Sequence, residues 1–257
     1  MKKTIMTQRN GARQALATLL GGTLTASVAS GAVYLVDFND NGAGTLPANW
    51  NEYASAADVT GTLVDDGGGS SVFTISQTGM QTSSGSGYFN AGSAPGWVPA
   101  AAGNDYFWTG SNSTNTESFT VSFTGLTVGD SVSLDLFASR DSTGESSGFY
   151  EYSLDGGASW LGFSVLKNDG TPEDDVSWDG IDTANQEFHV ENDGYVLGRY
   201  MNISDVELTG TSLQVRVRES ATNFAGLNAM RLTVVPEPGS SLLLVGAGLL
   251  TGCRRRR

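Results

Sequence analysis

Apolar and polar residues alternate with period two in five separate runs of this chain, at residues 71–75, 118–123, 131–136, 213–218 and 230–234. Such alternation turns one face of a strand toward a core and the other toward water. Turn chemistry separates the runs, with glycines at Gly125, Gly129, Gly156, Gly157, Gly194 and Gly210. No stretch between the ends repeats convincingly at helical spacing. Many short strands joined by glycine-rich turns predict an all-β domain with two sheets packed face to face. The expected architecture is a two-sheet, jelly-roll-like β-sandwich of the galactose-binding-like or concanavalin-like kind. Residues 134–140 are expected to form a central strand running into a charged loop. Residues 125–130 are expected to be a tight link between two antiparallel strands, and residues 37–42 a polar turn after the first strand. The latter resembles half of an EF-hand loop, but the twelfth position falls on Ala48, which cannot supply the bidentate acid.

The two ends follow a different pattern. Lys2, Lys3, Arg9 and Arg13 precede an acid-free apolar stretch at 15–29 and a run of small residues. A charged start, a short apolar region and a small-residue zone describe a secretory signal peptide, with cleavage expected near Ala32. At the other end stand Pro236, Glu237 and Pro238, an uncharged apolar stretch at 239–252, then Cys253 and the arginines Arg254, Arg255, Arg256 and Arg257. As a helix the apolar stretch spans about 21 Å against a hydrocarbon core of about 30 Å, short for a permanent span. The arginines hold their end in the cytoplasm, because such clusters cross membranes poorly. The proline pair denies the motif helical hydrogen bonds and presents it as an extended peptide. The expected division is a signal peptide at 1–32, a sandwich at 33–234 and a C-terminal signal at 235–257. An N-terminal signal helix and a C-terminal hydrophobic helix would then flank the sandwich.

The C-terminal arrangement resembles the PEP-CTERM sorting signal of bacterial surface proteins. The resemblance rests on Pro236-Glu237-Pro238, the apolar residues from 242 to 250, and Arg254 to Arg257. It implies recognition of the proline–glutamate–proline motif by an exosortase, a membrane-embedded processing enzyme. It further implies passage through the secretion machinery, transient residence in the inner membrane, and delivery to the cell surface or extracellular matrix. A link to exopolysaccharide and biofilm production comes with it. Cys253 departs from the core pattern and is expected to be a small apolar filler, with a lipidation site as the alternative.

Charge sharpens the picture of the central region. The whole chain carries a formal −13, yet residues 33–235 hold six cations and twenty-six acids, a net −20. The eight other cations sit in the end segments. A domain this acidic has no basic footprint for nucleic acid. One Cys and one His exclude a disulfide framework and any site built from several such ligands. Neutral sugars, or contacts bridged by Ca²⁺, suit the surface better than acidic polymers.

Candidate chemistry inside the domain is sparse. Ser153, Asp155, Gly157 and Trp160 fit the Asp-box pattern S-x-D-x-G-x-[ST]-W, a structural hairpin of secreted β proteins. Asp155 is placed to accept backbone N–H bonds across the turn, and the glycines supply positive φ. A single copy argues for a hairpin within a sandwich and against a sialidase propeller. Acids gather at Glu173, Asp174, Asp175, Asp179 and Asp182. They read as a solvated loop, with a structural Ca²⁺ of unspecified ligands as the alternative. No other cofactor is expected. Trp50, Trp97, Trp108, Trp160 and Trp178 read first as packing residues and second as platforms for a sugar ring. His189 lies in an alternating segment, and without a G-x-S-x-G elbow nothing builds a serine triad around it. The expectation is a structural or adhesive exported protein rather than an enzyme. A carbohydrate-binding module and a polysaccharide-active enzyme are the alternatives.

Overall fold

The computed structural model describes residues 31–38, 45–53, 59–79, 81–82, 92–104, 106–109, 118–141, 147–172, 187–189, 194–220 and 225–237. The expected signal helix, the C-terminal apolar stretch, Pro238, the terminal arginines and the acidic segment at 173–182 lie outside these residues. Among the described residues, no helix is long and apolar enough to cross a membrane.

The chain opens with β1 (Ala32–Asp37), β2 (Trp50–Glu52), β3 (Val59–Val64), β4 (Ser70–Thr78) and β5 (Gln81–Thr82). A four-residue helix, α1 (Ala100–Gly103), precedes β6 (Phe107–Thr109) and β7 (Ser118–Thr124). Then come β8 (Ser131–Phe137), β9 (Ser147–Ser153), β10 (Leu161–Gly162), β11 (Ser164–Leu166) and β12 (Glu187–His189). The last strands are β13 (Tyr200–Glu207), β14 (Ser212–Glu219), β15 (Ala225–Leu227) and β16 (Ala229–Val235). The five alternating runs of the sequence become β4, β7, β8, β14 and β16.

Two large sheets pack as a sandwich. The front sheet has the order β11-β13-β8-β16-β1-β2, and the back sheet β10-β9-β14-β7-β4-β3 with β12 also on β9. A small third sheet joins β15, β6 and β5. The described pairings are antiparallel except that of β1 with β2. Alternation decides what each strand buries. Val132, Leu134 and Leu136 of β8 and Met230, Leu232 and Val234 of β16 face Phe119, Val121 and Phe123 of β7 and Leu213, Val215 and Val217 of β14 in one continuous core. Each such side chain contributes about 1.5–3 kcal/mol by leaving water. Tyr34 of the front sheet meets Phe73 of the back sheet edge to face, with ring centroids 4.9 Å apart.

Two local expectations are corrected. Residues 125–130 do link two strands tightly, but β7 and β8 lie in different sheets, so the link arches across the end of the sandwich. Gly125 (φ 94°) and Gly129 (φ 91°) take the left-handed turns that the arch needs, and Leu126 is buried beneath it. Asp37 and Phe38 are not part of a polar turn: Asp37 closes β1 opposite Ala229, and both residues are fully buried.

The segment at 92–104 folds over part of the outer face of the front sheet. It makes a second small core in which Val98 and Ala102 cover Phe137, Tyr200 and Ala229. The two ends of the described fold meet on adjacent strands, where Ala32 pairs with Val234.

Candidate functional site

Pairing across the front sheet lines up one outward-facing row: Ser164 opposite Asn202, Asn202 opposite Asp135, Asp135 opposite Arg231, and Arg231 opposite Leu35. Strand alternation forces these residues outward, because their neighbours Leu134, Leu136, Met230, Leu232 and Ile203 are taken into the core. Asp135 is the hub. Its Oδ1 accepts Asn202 Nδ2 at 2.7 Å, and its Oδ2 accepts Arg231 Nε at 2.7 Å and Nη2 at 2.6 Å. The Asp135 side chain is only 8% exposed while that of Arg231 is 33% exposed, so the arginine forms the accessible side of the pair. Ser204 donates its hydroxyl to Asn202 Oδ1 at 2.8 Å. The register of β13 shifts between Ile203 and Val206, with Asp205 at φ 53° donating its N–H to the Ser133 hydroxyl.

Trp97 is laid against this row by the 92–104 segment. The Arg231 guanidinium carbon stands 5.0 Å from the Trp97 ring centroid, within cation–π range. Tyr200 meets the same indole edge to face at 6.1 Å. Burial raises the Tyr200 phenol pKa above its ordinary value of 10.0, and the Asp135 carboxylate adds to that. Together these side chains line a groove of about 580 Å³, which continues over Ser133, Thr233, Val33 and Leu35 toward Asp66. That volume lies within the usual range for small-molecule sites. Of the five sequence-selected tryptophans, Trp97 is the one that lines this groove. Trp108 packs on the main core, Trp50 on the small one, and Trp178 lies outside the described residues. Asp135, Asn202 and Arg231 had no motif to single them out.

Ser153, Asp155, Gly157 and Trp160 come together on the back sheet, remote from the groove in the fold's layering. Asp155 Oδ1 accepts the Ser159 N–H at 2.9 Å and the Ser153 hydroxyl at 2.7 Å, and Oδ2 accepts the Ser159 hydroxyl at 2.5 Å. The Ser153 hydroxyl oxygen in turn accepts the Gly157 N–H at 2.8 Å. The Ser159 hydroxyl and N–H, followed by Ser153, lower the Asp155 pKa to about 2. Gly156 and Gly157 stand at φ 73° and 90°, as the turn requires. Trp160 lies under Arg216, whose guanidinium carbon is 4.1 Å from the ring centroid and whose Nη2 is 2.7 Å from Glu151. The arrangement holds a turn shut. His189 pairs through its backbone with Ser147.

The sorting residues begin where the sandwich ends. Val235, the last residue of β16, pairs with Ser131, and Pro236 follows with no spacer. The Glu237 N–H donates to Asp130 Oδ1 at 3.3 Å, beside the cross-sheet arch. Pro238 and Arg254 to Arg257 lie outside the described residues.

Fold and junction together define a two-sheet β-sandwich with a processing signal joined directly to its last strand. Residues 234–257 match the PEP-CTERM protein-sorting motif. The motif indicates an exported protein, sorted to the cell surface by a membrane-embedded exosortase. No curated protein sequence matches the chain significantly.

Proposed function

We propose that the chain is a structural or adhesive component of the cell surface or extracellular matrix. Its jelly-roll-like sandwich is delivered by an exosortase system linked to exopolysaccharide, and it performs no catalysis. The observation that carries this reading is the sorting motif at 234–257, set directly against the final strand β16. A domain so joined is cargo, and the motif is its address. The acids of the groove support a non-catalytic role. Glycoside hydrolysis needs one carboxyl as acid and another as base or nucleophile; of the two groove carboxyls described, Asp66 and Asp135, the latter has both oxygens occupied by Asn202 and Arg231.

Mass spectrometry of the protein recovered from the outer surface of its host tests the sorting. The expected product has lost Arg254 to Arg257 and ends close to Pro238. A surface-exposed chain still ending in Arg257 overturns the proposal.

A further inference from the structure

We infer that the groove on the outer face of the front sheet binds a neutral saccharide chain, with Trp97 as its aromatic wall and the Asn202–Asp135–Arg231 row as its polar floor. The inference supplies a ligand class for the adhesive role proposed above.

Charge narrows the choice of ligand first. Among the described residues of the groove, Asp66, Asp135 and Arg231 leave one net negative charge, on an exported region of net −20. The cation among these described residues, Arg231, is already neutralised by Asp135. A phosphate, carboxylate or sulfate ligand would meet an arginine whose charge is spent and a surrounding field that repels it. A metal ion is equally poorly served, because both Asp135 oxygens accept hydrogen bonds and no group of three or more potential metal-ligating residues occurs among the described residues.

Backbone geometry narrows it further. The groove lies on a sheet face, where the N–H and C=O groups are consumed by the β13, β8, β16 and β1 ladders. A peptide lying there gains no added strand, the usual source of affinity for extended peptides. What the groove does present is amides, hydroxyls and guanidinium N–H groups beside apolar surface. Arg231 commits two of its five N–H donors to Asp135. Ser204, Thr233 and Asn202 add hydroxyl and amide groups to the lining. Val33, Leu35 and Leu166 supply apolar patches between them. A pyranose has the matching character: hydroxyls around its edge and C–H groups on its faces.

The site is also pre-organised. Asp135 stands between Asn202 and Arg231 and bonds to both, so neither side chain must be ordered when ligand arrives. Trp97 is held by Tyr200 and Arg231, and its Nε1 is buried without a hydrogen-bond partner among the described residues. The row crosses five strands, a reach of about 19 Å between the outer two at about 4.8 Å per step, so the occupant is an oligosaccharide rather than a single sugar.

The test is calorimetric titration of the exported protein, purified from its host, with cellohexaose, mannohexaose and polygalacturonate. At least one neutral oligosaccharide should bind, with an affinity that salt leaves unchanged. Trp97→Ala should weaken it about tenfold or more. Thr233→Phe, at a groove-lining position outside the two buried cores, should do the same while the melting temperature holds. It therefore decides the matter if Trp97→Ala does not fold. The inference is overturned if neither neutral oligosaccharide binds, if both variants bind as the parent does, or if polygalacturonate binds more tightly with a steep salt dependence. These outcomes are independent of the C-terminal mass, so failure of the groove and failure of the sorting proposal are told apart.

Discussion

Asp155 and Asp135 show what a single residue reveals of itself. Every partner of Asp155 lies within four positions of it, so the turn could be read from the letters S-x-D-x-G-x-S-W alone. Asp135 bonds to residues 67 and 96 positions away, and its alternating context told only that it faces outward. Local bonds also have a pH signature. The Asp155 carboxyl drops from 3.8 to about 2 on folding, so the unfolded chain binds its proton more readily. Its stabilising contribution is therefore complete above the unfolded value and is lost as pH falls toward about 2. Urea midpoints for the parent and Asp155→Asn should differ near neutral pH, with the parent more stable, and converge near pH about 2. Parallel curves across that range would show that the ionised carboxylate is not the stabilising form.

Strands were legible only where length and one-sidedness coincided; β9 and β13 have seven and eight residues but bury them without strict alternation, and no run marked them. β4, β7, β8, β14 and β16 each have seven or more residues and one buried face, and these are the strands that alternation revealed. β2, β5, β6, β10, β11, β12 and β15 have two or three residues each. That is less than two periods of a pattern, and distant partners rather than their own residues make them strands. The same limit hid the wrap at 92–104, whose Trp97 and Val98 meet the front sheet only in three dimensions. Position within a strand governs what a substitution costs. Leu134, fully buried at the centre of β8, should lose about 2–5 kcal/mol as Leu134→Ala in a urea titration. Val72 in β4 is 90% exposed, and Val72→Thr should stay within about 0.5 kcal/mol. Equal effects at the two sites would contradict the assignment of faces.

At the scale of the whole molecule, the sandwich class followed from strand count and turns, while the strand order did not. Order depends on which distant runs meet, and nothing in a run names its partner. The most distant meeting is that of β1 with β16, which seats the final strand between β8 and β1. A chain ended after Asn228 lacks this central strand and exposes both neighbours. It should give no cooperative thermal transition, and a normal melt by circular dichroism would refute the topology. Among the described strands β16 comes last in the chain, so the front sheet stays open during synthesis until Val235 has been made. The sorting motif is then the next segment to emerge. Completion of the fold and arrival of the processing signal thus become one event in time, so an exosortase that waits for the motif handles a domain whose last strand has already been delivered.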